Sequence, residues 1–313
     1  MKAAFQKTFT LALSAAAVLL CVACAAGTEP RADAVESRTD AAEMQADDAE
    51  KPDDVETFPC EVKFLLDPAK VLKEDGRFTE QFRSWFAFNE EYRPIEVIFL
   101  DTEDRAFSSE GWVNRLRWKE GKKKAECTFK KRYSADGEGE DAIVSLLAAA
   151  AADGFDLTDG SVSAEYDWGY SKLTLSLDWE ESVKPEGHES LEELSPEEAV
   201  DFMKKAMPQA LADWKEEGWG IKQLEKALSA GPVHVLRADG MWEDLEITAE
   251  IWPIGKDPGG TGTAVYIAEL SFKAGDLETA AQKRMELTRF LDEKGVLLHE
   301  DSLKTQKVLD TWL

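Results

Sequence analysis

Charged side chains recur at every second residue in several short stretches of this 313-residue chain. Between Trp112 and Trp118, Arg115 and Arg117 alternate with Asn114, Leu116 and Trp118. Between Lys124 and Arg132, the residues Lys124, Glu126, Thr128, Lys130 and Arg132 alternate with Ala125, Cys127 and Phe129. In an extended chain successive side chains point to opposite faces, so each charged set shares one face. Acids repeat the spacing. Asp244, Glu246, Thr248 and Glu250 fall on one strand face; Thr263, Glu269, Ser271 and Lys273 fall on another, opposite Tyr266, Ala268, Leu270 and Phe272. The guanidinium fork matches phosphate geometry, and Lys adds a point charge. A face with both signs can hold a charged ligand, or Arg115 and Lys130 can pair with neighbouring glutamates in a structural network.

Other chemistries find no residues to carry them. Beyond the N-terminal segment the chain has two cysteines, Cys60 and Cys127, and three separated histidines, His188, His234 and His299. None has zinc spacing. There is no nucleophile elbow, Walker loop or dinucleotide fingerprint. Gly259-Gly260-Thr261-Gly262 lacks a following Lys-Ser/Thr and reads as a hairpin loop between strands. The formal net charge of −26 argues against nucleic acid as a partner, since binding phosphate backbones needs a basic face.

The elements that must position these residues are mostly short strands. Cys60–Leu66 places Glu61 and Lys63 opposite Cys60, Val62 and Phe64. Ile95–Leu100, Trp112–Trp118, Lys124–Arg132, Ser163–Trp168, Lys172–Asp178, Pro232–Arg237, Trp242–Trp252 and Thr263–Lys273 follow. The run Lys122–Lys124 beside Glu120-Gly121 reads as a solvated hairpin tip. Helices are expected around Glu80–Phe88 and over Asp141–Ala152. A third starts at Ser195, with Pro196 in its first turn and Glu198 closing a capping box, and is bent by Pro208. A shorter helix is expected to reach about Ser229. A last one begins at Asp276 and ends at Lys294-Gly295. Strands with one polar and one apolar face fit an open sheet with a solvated side. They also fit a closed barrel with a polar interior and helices outside.

The N-terminus implies export. Lys2 and Lys7 precede the apolar run Phe9–Leu20, too short to span a bilayer comfortably. Cys21-Val22-Ala23-Cys24 resembles a lipobox, which makes Cys24 a lipidation site; Ala23-Cys24-Ala25 also fits plain cleavage to a soluble periplasmic protein. Residues 25–57 are acidic, Ala-rich and without aromatics apart from Phe58 beyond them, a composition that cannot offset the entropy of ordering. The expected organisation is a signal over 1–24, a tether over 25–57 and one domain over 58–313. The expected location is the cell envelope or periplasm, with a lipid anchor to the membrane.

The stretch Leu100-Asp101-Thr102-Glu103-Asp104, Phe107, Gly111, Arg115-Leu116-Arg117 and Thr128-Phe129-Lys130 resembles the CYTH family, also called triphosphate tunnel metalloenzymes. Glu61-Val62-Lys63 sits where that family opens, and Glu269-Leu270-Ser271 where its late acidic strand belongs. The resemblance implies an α+β fold, an antiparallel β-barrel tunnel with flanking helices. It implies Lys63, Arg115, Arg117 and Lys130 as anion ligands, with Arg237 added from a later strand. It implies Glu61 and Glu269 as ligands of Mg²⁺ or Mn²⁺, with Glu246 or Glu250 as further candidates. The ligand implied is a phosphorylated small molecule or polyphosphate; the activity implied is binding, or metal-dependent triphosphate hydrolysis. Pro59 and Ser271 stand where the family has acids, so the cationic positions match better than the metal positions. A third reading is a structural module with no ligand. If the charged faces line one tunnel, Cys60 and Cys127 both point outward. Export to an oxidising compartment then favours a disulfide between them, provided their strands are neighbours; otherwise they are two separate buried thiols.

Overall fold

Strand β1 (Cys60–Leu66) is the seam of a closed sheet. It pairs along its length with β9 (Ala264–Ala274), Cys60 opposite Ala274 and Leu66 opposite Ala268. Its other edge takes β5 (Ser163–Trp168) at Cys60–Val62 and the two-residue β10 (Leu297–Leu298) at Leu65–Leu66. From β5 the sheet continues through β6 (Lys172–Val183), β4 (Ala125–Asp136), β3 (Trp112–Lys119), β2 (Arg93–Asp101), β7 (Leu228–Trp242) and β8 (Leu245–Lys256), and returns to β9. The result is a barrel of nine strands, with β10 outside the ring. Every neighbouring pair in the ring is antiparallel except β1–β5. The computed structural model describes residues 58–158, 162–256, 264–301 and 304–313. The signal segment with Cys24, the tether, the Gly259–Gly262 loop and Thr263 lie outside the described residues.

Alternation does what the sequence demands of a two-sided sheet. Cys60, Val62, Phe64 and Leu66 of β1, with Leu173, Leu175 and Leu177 of β6 and Leu270 and Phe272 of β9, turn outward into one core. Helices cover it: α1 (Pro68–Val71), α2 (Glu80–Trp85) with Phe82, α3 (Glu140–Ala152) with Leu146, and α7 (Leu277–Glu293) with Leu287 and Leu291. Leu116, Trp118, Cys127 and Phe129 build a second outer core under α4 (Pro196–Ala206), α5 (Gln209–Ala212) and α6 (Trp219–Leu224). Ser195 and Glu198 form the capping box of α4, and Asp276 caps α7 through the Thr279 amide. Pro208 does more than bend the helix before it. The helix ends at Ala206 and a four-residue helix restarts at Gln209. Strand β7 starts at Leu228, where the sequence reads as helix.

A third apolar cluster lies on the inward faces. Leu65, Phe99, Trp252, Ile254 and Ile267 come from strands around the ring, and Val308 and Leu309 of α8 (Lys304–Trp312) pack onto them. Helix α8 therefore seats against one end of the lumen. Alternation and capping rules assign no element beyond Gly295, so this helix is a finding of the structure.

The thiols do not meet. Strands β5 and β6 separate β1 from β4, so Cys60 and Cys127 sit in different outer cores, both free and buried. The disulfide expectation is corrected on that adjacency. Burial pushes both thiols up to about 12.

Candidate functional site

The loop after β2 is built before the charges it positions. Buried Asp101 accepts from the Thr102 amide at 2.8 Å and the Phe107 amide at 3.0 Å, and its other oxygen accepts from the Ser108 amide at 3.1 Å. Thr102 Oγ1 accepts from the Ala106 amide at 2.8 Å. Gly111 then adopts φ 73°, where a Cβ would meet the Arg132 carbonyl oxygen at 2.7 Å. The Asp-Thr and Gly positions of the motif are thus structural. They set the register in which Arg115 faces Phe99 on one side and Thr128 on the other.

The inward faces enclose a cavity of about 640 Å³. Lys63, Arg115, Arg117, Lys130, Arg237, Glu61, Glu250 and Glu269 all line it. Glu246 does not; it is exposed, opposite Met241 near the β7–β8 turn. Asp244 is in that turn and bonds Lys283 of α7 at 3.0 Å. The cavity also takes Lys119, Arg132, Lys273, Lys304, Glu165, Asp178 and Glu180, which the sequence reading did not assign. Arg132 and Lys273 had a signal, since Arg132 shares an alternating face with Lys130 and Lys273 shares one with Glu269. Lys304 had none.

Two acidic groups form, and they divide the expected metal set. Glu61, Glu165 and buried Asp167 bring carboxylate oxygens within 4.8 Å of one another. Lys63 lies among them, 3.0 Å from Glu61 and hydrogen-bonded to Asp167, while Lys273 pairs with Glu165. Glu250 and Glu269 face each other across β8–β9. Lys304 bridges that pair, 3.1 Å from Glu250 and 2.5 Å from Glu269. Carboxylate oxygens are the right donors for Mg²⁺ or Mn²⁺. Lys63 sits in the first group and Lys304 in the second, so Glu61, Glu165 and Asp167 take an ion only by displacing Lys63.

The electrostatics follow from burial and partner. Burial opposes the Lys63 charge, but Asp167 and Glu61 outweigh it and hold the ammonium well above its usual range. Burial would raise Asp167; Lys63 and Lys130 hold it well below the usual carboxylate range. Glu250 is likewise held down to about 2 by Lys304 against its burial. Glu165 is raised, by burial and then by Glu61.

Nine cationic side chains line the cavity. Arg117 pairs with Glu126 at 2.6 Å, Lys119 with Glu126 at 2.9 Å, Lys130 with Asp178 at 3.0 Å and Arg237 with Asp239 at 3.1 Å. Together with Lys63, Lys273 and Lys304, these leave Arg115 and Arg132 without an ion pair among the described residues. Both have a buried, unbonded Nε. Arg115 donates to Thr128 Oγ1 at 3.2 Å. Burial, and then Arg117, lower its guanidinium to about 10, so it remains charged at neutral pH.

No family model matches the chain, and no curated protein does. Solved structures do. A putative adenylyl cyclase from Hippeastrum, described as having a dominant triphosphatase activity, is 15% identical, with 81% of this chain and 96% of that one covered at a TM-score of 0.49. A putative adenylate cyclase from Bacillus halodurans is 12% identical, covering 80% and 97% at 0.45. A protein from Pyrococcus horikoshii is 12% identical, covering 80% and 98% at 0.37. The chain folds as the closed, charge-lined barrel with flanking helices that its sequence resemblance to the triphosphate tunnel family implies.

Proposed function

We propose that the tunnel binds a triphosphate- or polyphosphate-like anion. The observation that carries this reading is the pair Arg115 and Arg132. A protein with a net charge of −26 keeps two guanidiniums in an interior cavity with no ion pair among the described residues. A buried charge left without a partner is costly, and an anion that fills the cavity supplies one. Lys130 and Lys63 both contact Asp167, which brings their ammoniums to the same part of the wall. The structural-module reading accounts for the seven paired cations and leaves these two unexplained.

Metal-dependent phosphohydrolysis is the second reading, favoured by the Glu61, Glu165 and Asp167 group. One experiment separates the readings. The protein is incubated with tripolyphosphate, with and without Mg²⁺ or Mn²⁺, and phosphate release and melting temperature are both recorded. A ligand-dependent rise in melting temperature without release is the expected result. Metal-dependent release supports hydrolysis, and no response to either defeats both ligand readings. We place the protein in the cell envelope on the strength of Lys2, Lys7, Phe9–Leu20 and the lipobox-like Cys21–Cys24. Membrane fractionation of wild type and Cys24→Ser tests the anchor. Wild type in the soluble fraction overturns it.

A further inference from the structure

Glu250 and Glu269 are directly opposed on neighbouring strands that line the lumen, Glu269 buried and Glu250 half-buried. Like charges facing each other across a ladder destabilise it, and the cost grows with burial. Such a pair either shares a proton or holds a cation. Among the described residues, the lumen's own strands bring no ammonium or guanidinium to both carboxylates. Lys63 is committed to Glu61 and Asp167, and Arg237 comes only to 4.0 Å from Glu250. The cation arrives from outside the ring. Lys304 is the first residue of α8, and its ammonium reaches both carboxylates, with the Trp252 ring 4.8 Å away. Val308 and Leu309, one turn and more further on, anchor the helix in the apolar end of the lumen.

We infer that Lys304 is a tethered replacement for a divalent cation at the Glu250–Glu269 pair, delivered by the seating of α8. Two consequences follow from the chemistry. The ammonium contributes one positive charge where Mg²⁺ or Mn²⁺ contributes two, so the carboxylate pair keeps a net negative charge and repels an anion from that end of the cavity. Anion binding is therefore concentrated on the Arg115–Arg132 side and is independent of a metal at this pair. The inference concerns what the two glutamates hold, and it stands or falls apart from the anion reading.

Mn²⁺ stoichiometry, measured on the full chain by electron paramagnetic resonance, tests it without reference to any phosphate ligand. Lys304→Met is expected to bind one Mn²⁺ more than wild type, and the double variant Lys304→Met/Glu269→Gln is expected to lose it again. A folded Lys304→Met, checked by circular dichroism, with unchanged stoichiometry overturns the inference. Should Lys304→Met not fold, Glu269→Gln in the otherwise wild-type chain decides. Unchanged Mn²⁺ binding supports a resident ammonium, and loss of one Mn²⁺ shows that the pair is a metal site after all.

Discussion

Arg115 and Lys130 look equivalent in sequence, and their surroundings make them different. Lys130 contacts Asp178 at 3.0 Å and Asp167 at 3.7 Å, whereas Arg115 has only a hydroxyl. Reversing Lys130 to Glu would place three carboxylates together in a half-closed lumen, and we expect a loss of about 3–5 kcal/mol of stability. Arg115→Met removes a charge that forms no ion pair among the described residues. Its melting temperature should be unchanged or higher, while affinity for tripolyphosphate falls about 10- to 100-fold, as expected for one charge-assisted contact. Calorimetric titration beside thermal melting checks both; undiminished affinity removes Arg115 from the site. Acid sensitivity belongs at this scale too. Glu250 and Asp167 have carboxyls depressed in the folded state, to about 2 and well below the usual range. An unfolded chain titrates them near about 4. A depressed group stabilises fully above its unfolded value and loses that contribution as pH falls toward its folded value. Melting temperature should therefore hold down to about pH 5 and decline below about pH 4. Glu250→Gln should make the decline shallower, and an identical decline in the variant would falsify the assignment to Glu250.

At the scale of elements, adjacency governs. Strands β1 and β4 present their cysteines on the outward face as alternation requires, but the ring order puts β5 and β6 between them. Thiol titration of the folded protein should find Cys60 and Cys127 unreactive, and titration after denaturation without reductant should find both free. One reactive pair fewer than that would mean a bond the fold does not allow. Helix α7 shows the opposite separation of roles. Leu287 and Leu291 are fully buried in the outer core and, among the described residues, are not part of the cavity lining. Leu287→Ala should cost about 2–5 kcal/mol by cavity formation. Below its lowered melting temperature, tripolyphosphate affinity should stay as in wild type. A matching fall in affinity would tie the outer core to the site.

For the whole molecule, closure converts faces into compartments. An open sheet would leave Lys63, Arg117 and Lys130 in water, where each ion pair is worth little. Joining β1 to β9 puts them around a shared cavity, where partners decide which charges remain available. The exterior is strongly acidic and the cavity wall is rich in cations. An anion must therefore approach through a repulsive field before reaching its site, and that field is screened by salt while the interior is screened much less. The association rate for tripolyphosphate should rise with moderate salt, and stopped-flow measurement at two ionic strengths reads it. A rate that falls with salt would show that the mouth, not the exterior, steers the ligand.

Much of this was legible in the chain alone. Period-two alternation identified the inward and outward residues of β1, β3, β4, β8 and β9, because the two faces of a strand meet different surroundings wherever the sheet ends up. Local capping rules located Ser195 and Asp276. The Asp101-Thr102 to Lys130 motif pointed to the tunnel, since its loop residues and its cations are fixed by one short register. Closure was not legible. The same two-faced strands serve a flat sheet, and only the β1–β9 pairing, between residues some two hundred positions apart, makes them a barrel. Nor could spacing reveal which carboxylate meets which cation. Glu61 joins Glu165 and Asp167 through the parallel β1–β5 contact, and Glu250 meets Glu269 across β8–β9. Lys304 enters from a helix beyond the last strand of the ring. Local sequence sets which way a side chain points; its ionic partner is set by contacts between distant segments, and those exist only once the ring has closed.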